Sequence, residues 1–331
     1  MDDNIARISY EGKEILLVAT AHVSQESVEL VKRVIEEERP DSVCIELDEG
    51  RYNNIQNPKA WMDLPKSPAP TTNFHTHTFR CKHAEGDVMD YVKAASEVGI
   101  THLGFADHTP LTDRWMHMIR MEVEDLPGYV AALREAVDNP YGVMVYGGME
   151  CDYKPEYEAY FRDELLGNCR LDYLVGSVHA FPWQGDYTWI HPGVDLDAAQ
   201  LKAYAEHVAK AIASGLFAFI AHPDLFNQGL RKWNPEVRAC IRDILAAAEA
   251  YQVPLEINPS GYAKARQSPE VYLPCTHLLD QFWEEAAGFN VTVLVNSDAH
   301  KPSALTTDLQ AGYKTMHKYG LKEATLPFVR Q

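Results

Sequence analysis

NFHTH, residues 73–77, places two histidines two positions apart at the end of a short run of strand-forming residues. Side chains alternate between the two faces of a strand, so His75 and His77 are predicted to point to the same side. Six further runs rich in β-branched and aromatic residues follow along the chain. The predicted strands lie near residues 72–76, 102–106, 143–149, 173–178, 217–221, 254–257 and 291–297.

Helical patterns alternate with these strands. They cover residues 86–98, 124–137, 156–167, 198–214, 236–251, 277–288 and 303–318. Strands that are separated by helices run parallel. Seven βα units of this length favour a closed α/β barrel over a doubly wound open sheet, because an open sheet would gather its site at one switch point.

Nine side chains able to bind metal lie near the carboxyl ends of the predicted strands. They are His75, His77, His83, His108, Glu150, His179, His222, Asp298 and His300. Functional residues of (β/α) barrels gather at this end of the barrel, so all nine are predicted to meet there. The histidines of an isolated HxH pair are more often hydrogen-bonded loop residues than metal ligands. The whole set of nine side chains, however, predicts a polynuclear metal site. Nitrogen and oxygen donors without thiolate favour zinc, manganese or iron.

The composition restricts the class of protein and its partners. A formal charge of −18 in 331 residues argues against a nucleic-acid partner, whose binding depends on cationic side chains. A small phosphorylated substrate is compatible with this charge, because bound divalent metals make the local field positive. No apolar run reaches the roughly 20 residues of a membrane span. The start of the chain lacks the features of a secretory signal, and the six cysteines form no CxxC pair, so a cytoplasmic protein with reduced thiols is predicted.

The motifs HTH, DH, GxE, SVH, AHPD and SDAH, in this order, resemble the PHP (polymerase and histidinol phosphatase) superfamily of metal-dependent phosphoesterases. The resemblance covers about residues 72–320. It implies a distorted (β/α)7 TIM-like barrel, the PHP fold. Within the superfamily, NFHTHTFRCKHAEG and GGMECDYKPEY followed by LDYLVGSVH are similar to the histidinol-phosphate phosphatase branch.

The same resemblance implies two or three divalent metal ions, Zn, Mn or Fe. The ligands expected for the first ion are His75, His77, Glu150 and Asp298. Those expected for the second are Glu150, His179 and His222, and those for the third are His83, His108 and His300. In such a site, hydroxide activated by the metals attacks phosphorus. The catalytic candidates are therefore Glu150, Asp298 and His222, while Asp107 and Asp224 are interpreted either as hydrogen-bond acceptors for ligand histidines or as turn residues.

Basic residues in loops at the carboxyl-terminal face are the candidates for binding the substrate phosphate. They are Arg80, Arg231, Lys264 and Arg266. The expected activity is hydrolysis of a small phosphate monoester, most specifically L-histidinol phosphate. Three alternatives stay open: another PHP phosphoesterase that acts on nucleotides or phosphodiesters, an amidohydrolase-like metal hydrolase, and a non-catalytic binding protein. The oligomeric state is not predicted.

Residues 1–63 precede a proline-rich segment, 64–72, and are predicted to form a small αβ appendage to the barrel of residues 73–331. The pattern predicts a strand pair around Ile8 and Leu16, a helix from about Gln25 to Glu38 and a strand over 42–47. The segment LLVATAHVSQESVELVKRVIEEERP resembles the opening of the TraB family. Ala19 replaces the glycine of that family's first GxxH element and the rest of the TraB domain is missing, so no separate catalysis is expected from the appendage.

Overall fold

The structure, a computed structural model, describes residues 5–10, 13–18, 25–40, 70–191, 195–229, 233–260 and 280–329. The chain divides into two compact units, Met1–Pro65 and Lys66–Gln331. In the first unit, strand β1 (Ile5–Tyr10) pairs antiparallel with β2 (Lys13–Val18), and helix α1 spans Gln25–Glu38. The strand predicted over 42–47 lies outside the described residues.

An eight-stranded parallel sheet forms the centre of the second unit. Its strands are β3 (Thr72–Asn73), β4 (His102–Phe105), β5 (Met144–Asp152), β6 (Tyr173–Ser177), β9 (Phe219–Ile220), β10 (Leu255–Ile257), β11 (Thr292–Val295) and β12 (Lys322–Glu323), and they are hydrogen-bonded in this order. Between β6 and β9 the chain forms an antiparallel hairpin of β7 (Ala180–Trp183) and β8 (Asp186–Trp189).

The sheet curls until its first strand meets β11. An isolated parallel bridge joins Thr76 to Ala299, and the Ala299 carbonyl accepts a hydrogen bond from the His77 backbone N–H at 2.9 Å. Further along this seam, the backbone N–H of Phe74 donates to the Asn296 side chain at 2.7 Å. Seven strands thus surround one interior, with β12 added outside β11. The predicted fold class, a distorted (β/α)7 TIM-like barrel, is confirmed.

Helices cover the outside of this barrel where the sequence pattern predicts them. They are α2 (Val88–Val98), α3 (Leu126–Val137), α4 (Ala198–Ala213), α5 (Pro235–Tyr251) and α6 (Leu309–Lys318), and residues 280–286 are also helical. Asp87 and Asp197 form capping boxes that fix where α2 and α4 begin. None of the described helices is both long and apolar enough to cross a membrane.

Two helical predictions need correction. The pattern over 303–318 becomes a short 3-10 turn, Pro302–Ala304, and then α6, which begins only after Asp308. The backbone of Asp308 is left-handed, with φ of 57°, so a continuous α-helix cannot pass through it. The pattern over 156–167 becomes a 3-10 turn, Pro155–Tyr157, and a π-helix, Tyr160–Asn168.

The hairpin of β7 and β8 was not predicted from the sequence. Gln184 and Gly185 form its two-residue turn, and both have positive φ, 52° and 89°. Positive φ at both turn residues is typical of the type I′ turn, which matches the twist of a hairpin. The alternating aromatic residues on both sides of Gly185 are a pattern from which this hairpin could have been predicted.

Aromatic side chains fill the barrel interior and include Phe74, Tyr146, Tyr173 and Phe219. The Tyr173 hydroxyl lies 2.7 Å from the Phe74 carbonyl oxygen and 3.0 Å from the Phe105 carbonyl oxygen. The Tyr173 ring passes so close to Gly148 on β5 that a Cβ there would lie 2.5 Å from the ring Cζ. Gly148 is therefore required by the packing of the interior.

Replacing Gly148 with alanine is expected to lower the free energy of unfolding by about 1–3 kcal/mol, because the new methyl group overlaps a ring anchored by its hydroxyl. Gly128→Ala is the matched control. Apart from the adjoining residues and the backbone of α3 itself, no atom of the described residues lies within 4 Å of a Cβ at this position. Alanine there is expected to stabilise the protein by about 0.5–1 kcal/mol. Urea unfolding of both variants measures these changes, and equal effects would contradict the packing argument.

Candidate metal centre

Glu150, near the end of β5, lies at the centre of the predicted ligand set. Its carboxylate is buried, and one oxygen, Oε1, lies 3.0 Å from His222 Nε2 and 3.7 Å from His179 Nε2. The other oxygen, Oε2, lies 3.0 Å from His108 Nδ1 and 3.6 Å from the Nε2 atoms of His75 and His77. The two oxygens thus face two different groups of imidazoles, an arrangement in which one carboxylate can bridge two ions.

Asp298 and His300 approach the same centre from the segment after β11. Asp298 Oδ1 lies 3.0 Å from His77 Nε2 and 3.5 Å from His75 Nε2. The His300 and His83 Nε2 atoms lie 3.0 Å apart, and the His300 ring stacks on His77 with centroids 4.3 Å apart. The structure therefore brings all nine predicted ligand side chains together.

The third predicted group differs in detail from the expectation. Ligand atoms of His77, His108 and His300 lie within 4.8 Å of one another, and so do those of Cys81, His83 and His300. The predicted donor set contains no thiol, so Cys81 is a neighbour that was not expected from the sequence. Burial raises the pKa of the Cys81 thiol to about 12, which keeps the sulfur protonated near neutral pH.

Among the described residues, several ring nitrogens in this centre are buried without a hydrogen-bond partner. They are His75 Nε2, both nitrogens of His77, His108 Nδ1 and His222 Nδ1. The short distances from His108 Nδ1 to Glu150 and from His77 Nε2 to Asp298 do not have hydrogen-bond geometry. Buried polar atoms normally find partners, and a cation between nitrogen and carboxylate oxygen accounts for the orientation of His75 Nε2, His77 Nε2 and His108 Nδ1. The residues therefore fit divalent metal ions.

Hydrogen bonds at the opposite ring nitrogen fix how four of the imidazoles face the centre. Glu256 lies 2.8 Å from His75 Nδ1, and Asp152 lies 2.9 Å from His179 Nδ1. Backbone carbonyl oxygens take the same position at His83 and His300, at 2.7 and 2.9 Å. Each of these contacts leaves Nε2 directed toward the cluster.

The acidic residues that contact the outer nitrogens of ligand histidines are Glu256 and Asp152, neither of which was singled out in the sequence. Asp107 instead accepts hydrogen bonds from the backbone N–H and the hydroxyl of Thr78, at 2.9 and 2.6 Å. Asp152 and Glu256 were missed, although Asp152 follows Glu150 by two residues and faces the same side of β5. This two-residue spacing from Glu150 is the sequence feature from which Asp152 could have been predicted.

Charge in the centre is divided between the carboxylates and the imidazoles. Burial opposes ionisation of Glu150, but His108, His179 and His75 hold its pKa well below the ordinary value. Burial also lowers the pKa of His108 to about 4, so this imidazole is neutral near pH 7. At Asp298, His75 and His77 outweigh burial and hold the pKa well below its usual range. At His75, burial opposes the charged form, but Glu256, Asp298 and Glu150 raise the pKa well above its ordinary value, so this imidazole must give up a proton when it binds a metal.

Two of the predicted ligands have unusual backbone conformations. His222 has φ of 29° and Asp298 has φ of 51°, both in the left-handed region that residues with a Cβ rarely adopt. Such strain persists only where the surrounding structure enforces it, and it is concentrated at functional sites. Its occurrence at these two positions supports a functional origin of the cluster.

The candidates for substrate binding are only partly placed. The Arg80 guanidinium bonds to the Asp87 carboxylate, with Nη2 and Oδ2 3.1 Å apart, so one face of it is already occupied. The other three, Arg231, Lys264 and Arg266, lie outside the described residues. One aromatic side chain packs directly against the cluster. The Trp189 ring stacks on His179, with centroids 5.4 Å apart and an interplanar angle of 11°.

A model of the PHP domain family matches residues 73–260, which include seven of the nine clustered side chains. The chain belongs to the PHP domain family. A model of the TraB/PrgY/gumN family matches residues 4–79, in agreement with the resemblance of the N-terminal segment. Both family resemblances are therefore confirmed.

Named relatives of the barrel are phosphatases. A probable histidinol-phosphatase of Deinococcus radiodurans is 30% identical over 257 residues, which cover 76% of this chain and 94% of that protein. A probable phosphatase of Shewanella sp. (strain ANA-3) is 28% identical over 68% of this chain and 75% of its own length. The predicted enzyme class, a hydrolase of phosphoric monoesters, is confirmed by these relatives.

A solved structure has the same fold. The histidinol phosphate phosphatase of Lactococcus lactis, crystallised with zinc, L-histidinol and phosphate, superposes with a TM-score of 0.57 at 15% identity. The superposition covers 78% of this chain and 97% of that protein.

Burial raises the pKa of Asp224, two residues after His222, to about 7. Its folded pKa lies above its unfolded value near 4, so its protonated form stabilises the fold at low pH and this contribution is lost as pH rises through 7. In metal-free protein, Asp224→Asn is therefore expected to be more favourable relative to wild type at pH 8 than at pH 5, by about 2 kcal/mol. Urea unfolding at both pH values measures this difference, and a pH-independent difference would contradict it.

Proposed function

We propose that this protein is a metal-dependent phosphomonoesterase that acts on a small substrate, most specifically L-histidinol phosphate. The observation that carries the proposal is the buried Glu150 carboxylate, whose two oxygens face two groups of histidines. The names of the Deinococcus and Lactococcus relatives support the choice of substrate. A cytoplasmic location follows from the sequence expectations and is part of the same proposal.

Two or three divalent ions, Zn, Mn or Fe, fit the donor set. His75, His77, Glu150 and Asp298 would hold the first ion, and Glu150, His179 and His222 would hold the second. His83, His108 and His300 would hold a third, with His77 and Cys81 close to the same position. When bound, the ions acidify water so that hydroxide forms near neutral pH, and they neutralise charge on the phosphoryl oxygens.

The side chains of the centre have separate parts in the reaction. Water adds to phosphorus as the bond to the leaving alkoxide breaks, and one proton must pass from the water to that alkoxide. Asp298, held ionised by His75 and His77, would accept this proton from the water and pass it to the alkoxide. Glu150 and His222, 3.0 Å apart, keep the nucleophile in place. The Trp189 ring stacks on His179 and so covers one face of this imidazole.

The domain boundaries complete the proposal. Residues 1–63 are a TraB-like appendage, 64–72 a proline-rich linker and 73–331 the catalytic barrel. The TraB/PrgY/gumN match over residues 4–79 supports the origin of the appendage, and the division of the chain at Pro65 supports its independence. The metal centre lies wholly in the barrel, so the appendage is proposed to take no part in catalysis.

Protein loaded separately with Zn, Mn and Fe is expected to release phosphate from L-histidinol phosphate faster than from a nucleotide monophosphate or a phosphodiester. His75→Ala is expected to reduce the rate about 100-fold or more, because it removes a ligand from the first ion. His317→Ala, on the exposed side of α6, is the matched control and keeps full activity.

Faster turnover of nucleotides or diesters, lost in His75→Ala, would keep the metal mechanism and replace the substrate by that of another PHP branch. Hydrolysis of an amide or lactone without phosphate release would favour an amidohydrolase-like reaction. Absence of any hydrolysis by metal-loaded protein would leave a binding role.

Single replacements Arg231→Met, Lys264→Met and Arg266→Met are expected to raise KM for the phosphate monoester about tenfold, since a charge-assisted hydrogen bond contributes about 1.5–3 kcal/mol. The metal content is expected to stay unchanged. Lys202→Met is the control, because Lys202 lies exposed on α4. Steady-state kinetics with metal analysis tests each residue, and an unchanged KM removes that residue from the substrate site.

A further inference from the structure

Glu256 is a buried carboxylate inside the barrel with no assigned role. It lies on β10 between Leu255 and Ile257, whose side chains belong to the core outside the barrel. Because strand side chains alternate, the Glu256 side chain points to the interior, and it is 0% exposed. Burying an ionised carboxylate costs free energy unless its oxygens accept hydrogen bonds. The donors that surround Glu256 therefore indicate the role of this side chain.

Its two oxygens serve two different predicted ligands. Oε1 lies 2.8 Å from His75 Nδ1 and accepts from Asn296 Nδ2 at 3.0 Å. Oε2 accepts from the backbone N–H of His222 at 3.0 Å and from Asn258 Nδ2 at 3.2 Å. Four donors therefore surround one carboxylate, and both oxygens are needed as acceptors.

The two bonds act on the ligands in different ways. At His75, a proton held on Nδ1 leaves Nε2 free to face Glu150 and Asp298, at 3.6 and 3.5 Å. At His222, the bond holds a backbone whose φ is 29°, and this backbone directs Nε2 to within 3.0 Å of Glu150. His75 belongs to the first proposed metal subsite and His222 to the second.

We propose that Glu256 is a positioning residue that couples the two metal subsites by holding one ligand of each. The inference rests on the proposed function, because it takes the metal-binding role of these histidines as given. Asp152 provides a contrast within the same centre. Its contacts with the ligand set are both to His179, at 2.9 Å to Nδ1 and 3.2 Å to the backbone N–H, so it holds a ligand of the second subsite.

The test uses the full-length protein and measures stepwise binding of Zn and of Mn by competition with a chromophoric chelator. Glu256→Gln keeps the size of the side chain but turns one acceptor oxygen into an amide NH2 that faces two donors. Both binding steps are expected to weaken by about 10–100-fold, the usual effect of removing a partner of a metal ligand. Asp152→Asn, the matched control, is expected to weaken one step only.

Glu256→Asp is the conservative variant. It retains both acceptor oxygens at a shorter reach, so it is expected to weaken both steps less than Glu256→Gln does. It also carries the test if circular dichroism of the metal-free protein shows that Glu256→Gln fails to fold. Unchanged binding, or a loss confined to one step, in a folded Glu256 variant would overturn the coupling. Wild-type protein that binds neither metal would overturn the proposed function itself.

Discussion

The structure of this centre depends on one buried charge, the Glu150 carboxylate. Burying a carboxylate costs several kcal/mol unless it is fully paired, and an isolated ion pair seldom offsets that cost. Here five imidazoles from four segments of the barrel contact it at 3.0–3.7 Å. β5, the longest strand of the sheet, carries the carboxylate into the middle of this group. Closure of the barrel therefore also brings together the histidines that pair with the buried Glu150 carboxylate.

The sequence was sufficient to predict the barrel and the nine clustered residues for a geometric reason. Parallel strands of a barrel end at one face, so residues that end successive strands meet even when they are far apart in sequence. His75 and Asp298 are an example, since 223 positions separate them in the chain and 3.5 Å separate their side chains. The strand positions alone are needed for this prediction, and hydrophobic patterning predicts them well.

Other features were not predictable because they depend on side-chain contacts across the barrel. In the sequence, Glu256 is a single acidic residue within an apolar strand. Its contacts with His75 and His222 become apparent only in the folded barrel. Cys81 approaches the cluster through a 3-10 turn that ends at Lys82 with φ of 69°, a local conformation without a periodic signal. The β7–β8 hairpin is intermediate between predictable and unpredictable features. Its turn and its alternating aromatic residues are visible in the sequence, but they follow β6 so closely that they resemble a loop.

That hairpin packs against the candidate metal centre. It starts directly after His179, and its Trp189 stacks back on the same imidazole. Asp152 holds the other side of His179 and bonds to Arg120 at 2.8 Å. Arg120 in turn donates to the carbonyl oxygens of Thr109 and Met116, in the segment between β4 and α3. Both segments are thus fixed to one predicted ligand, so a change in the packing of either is transmitted to the position of His179.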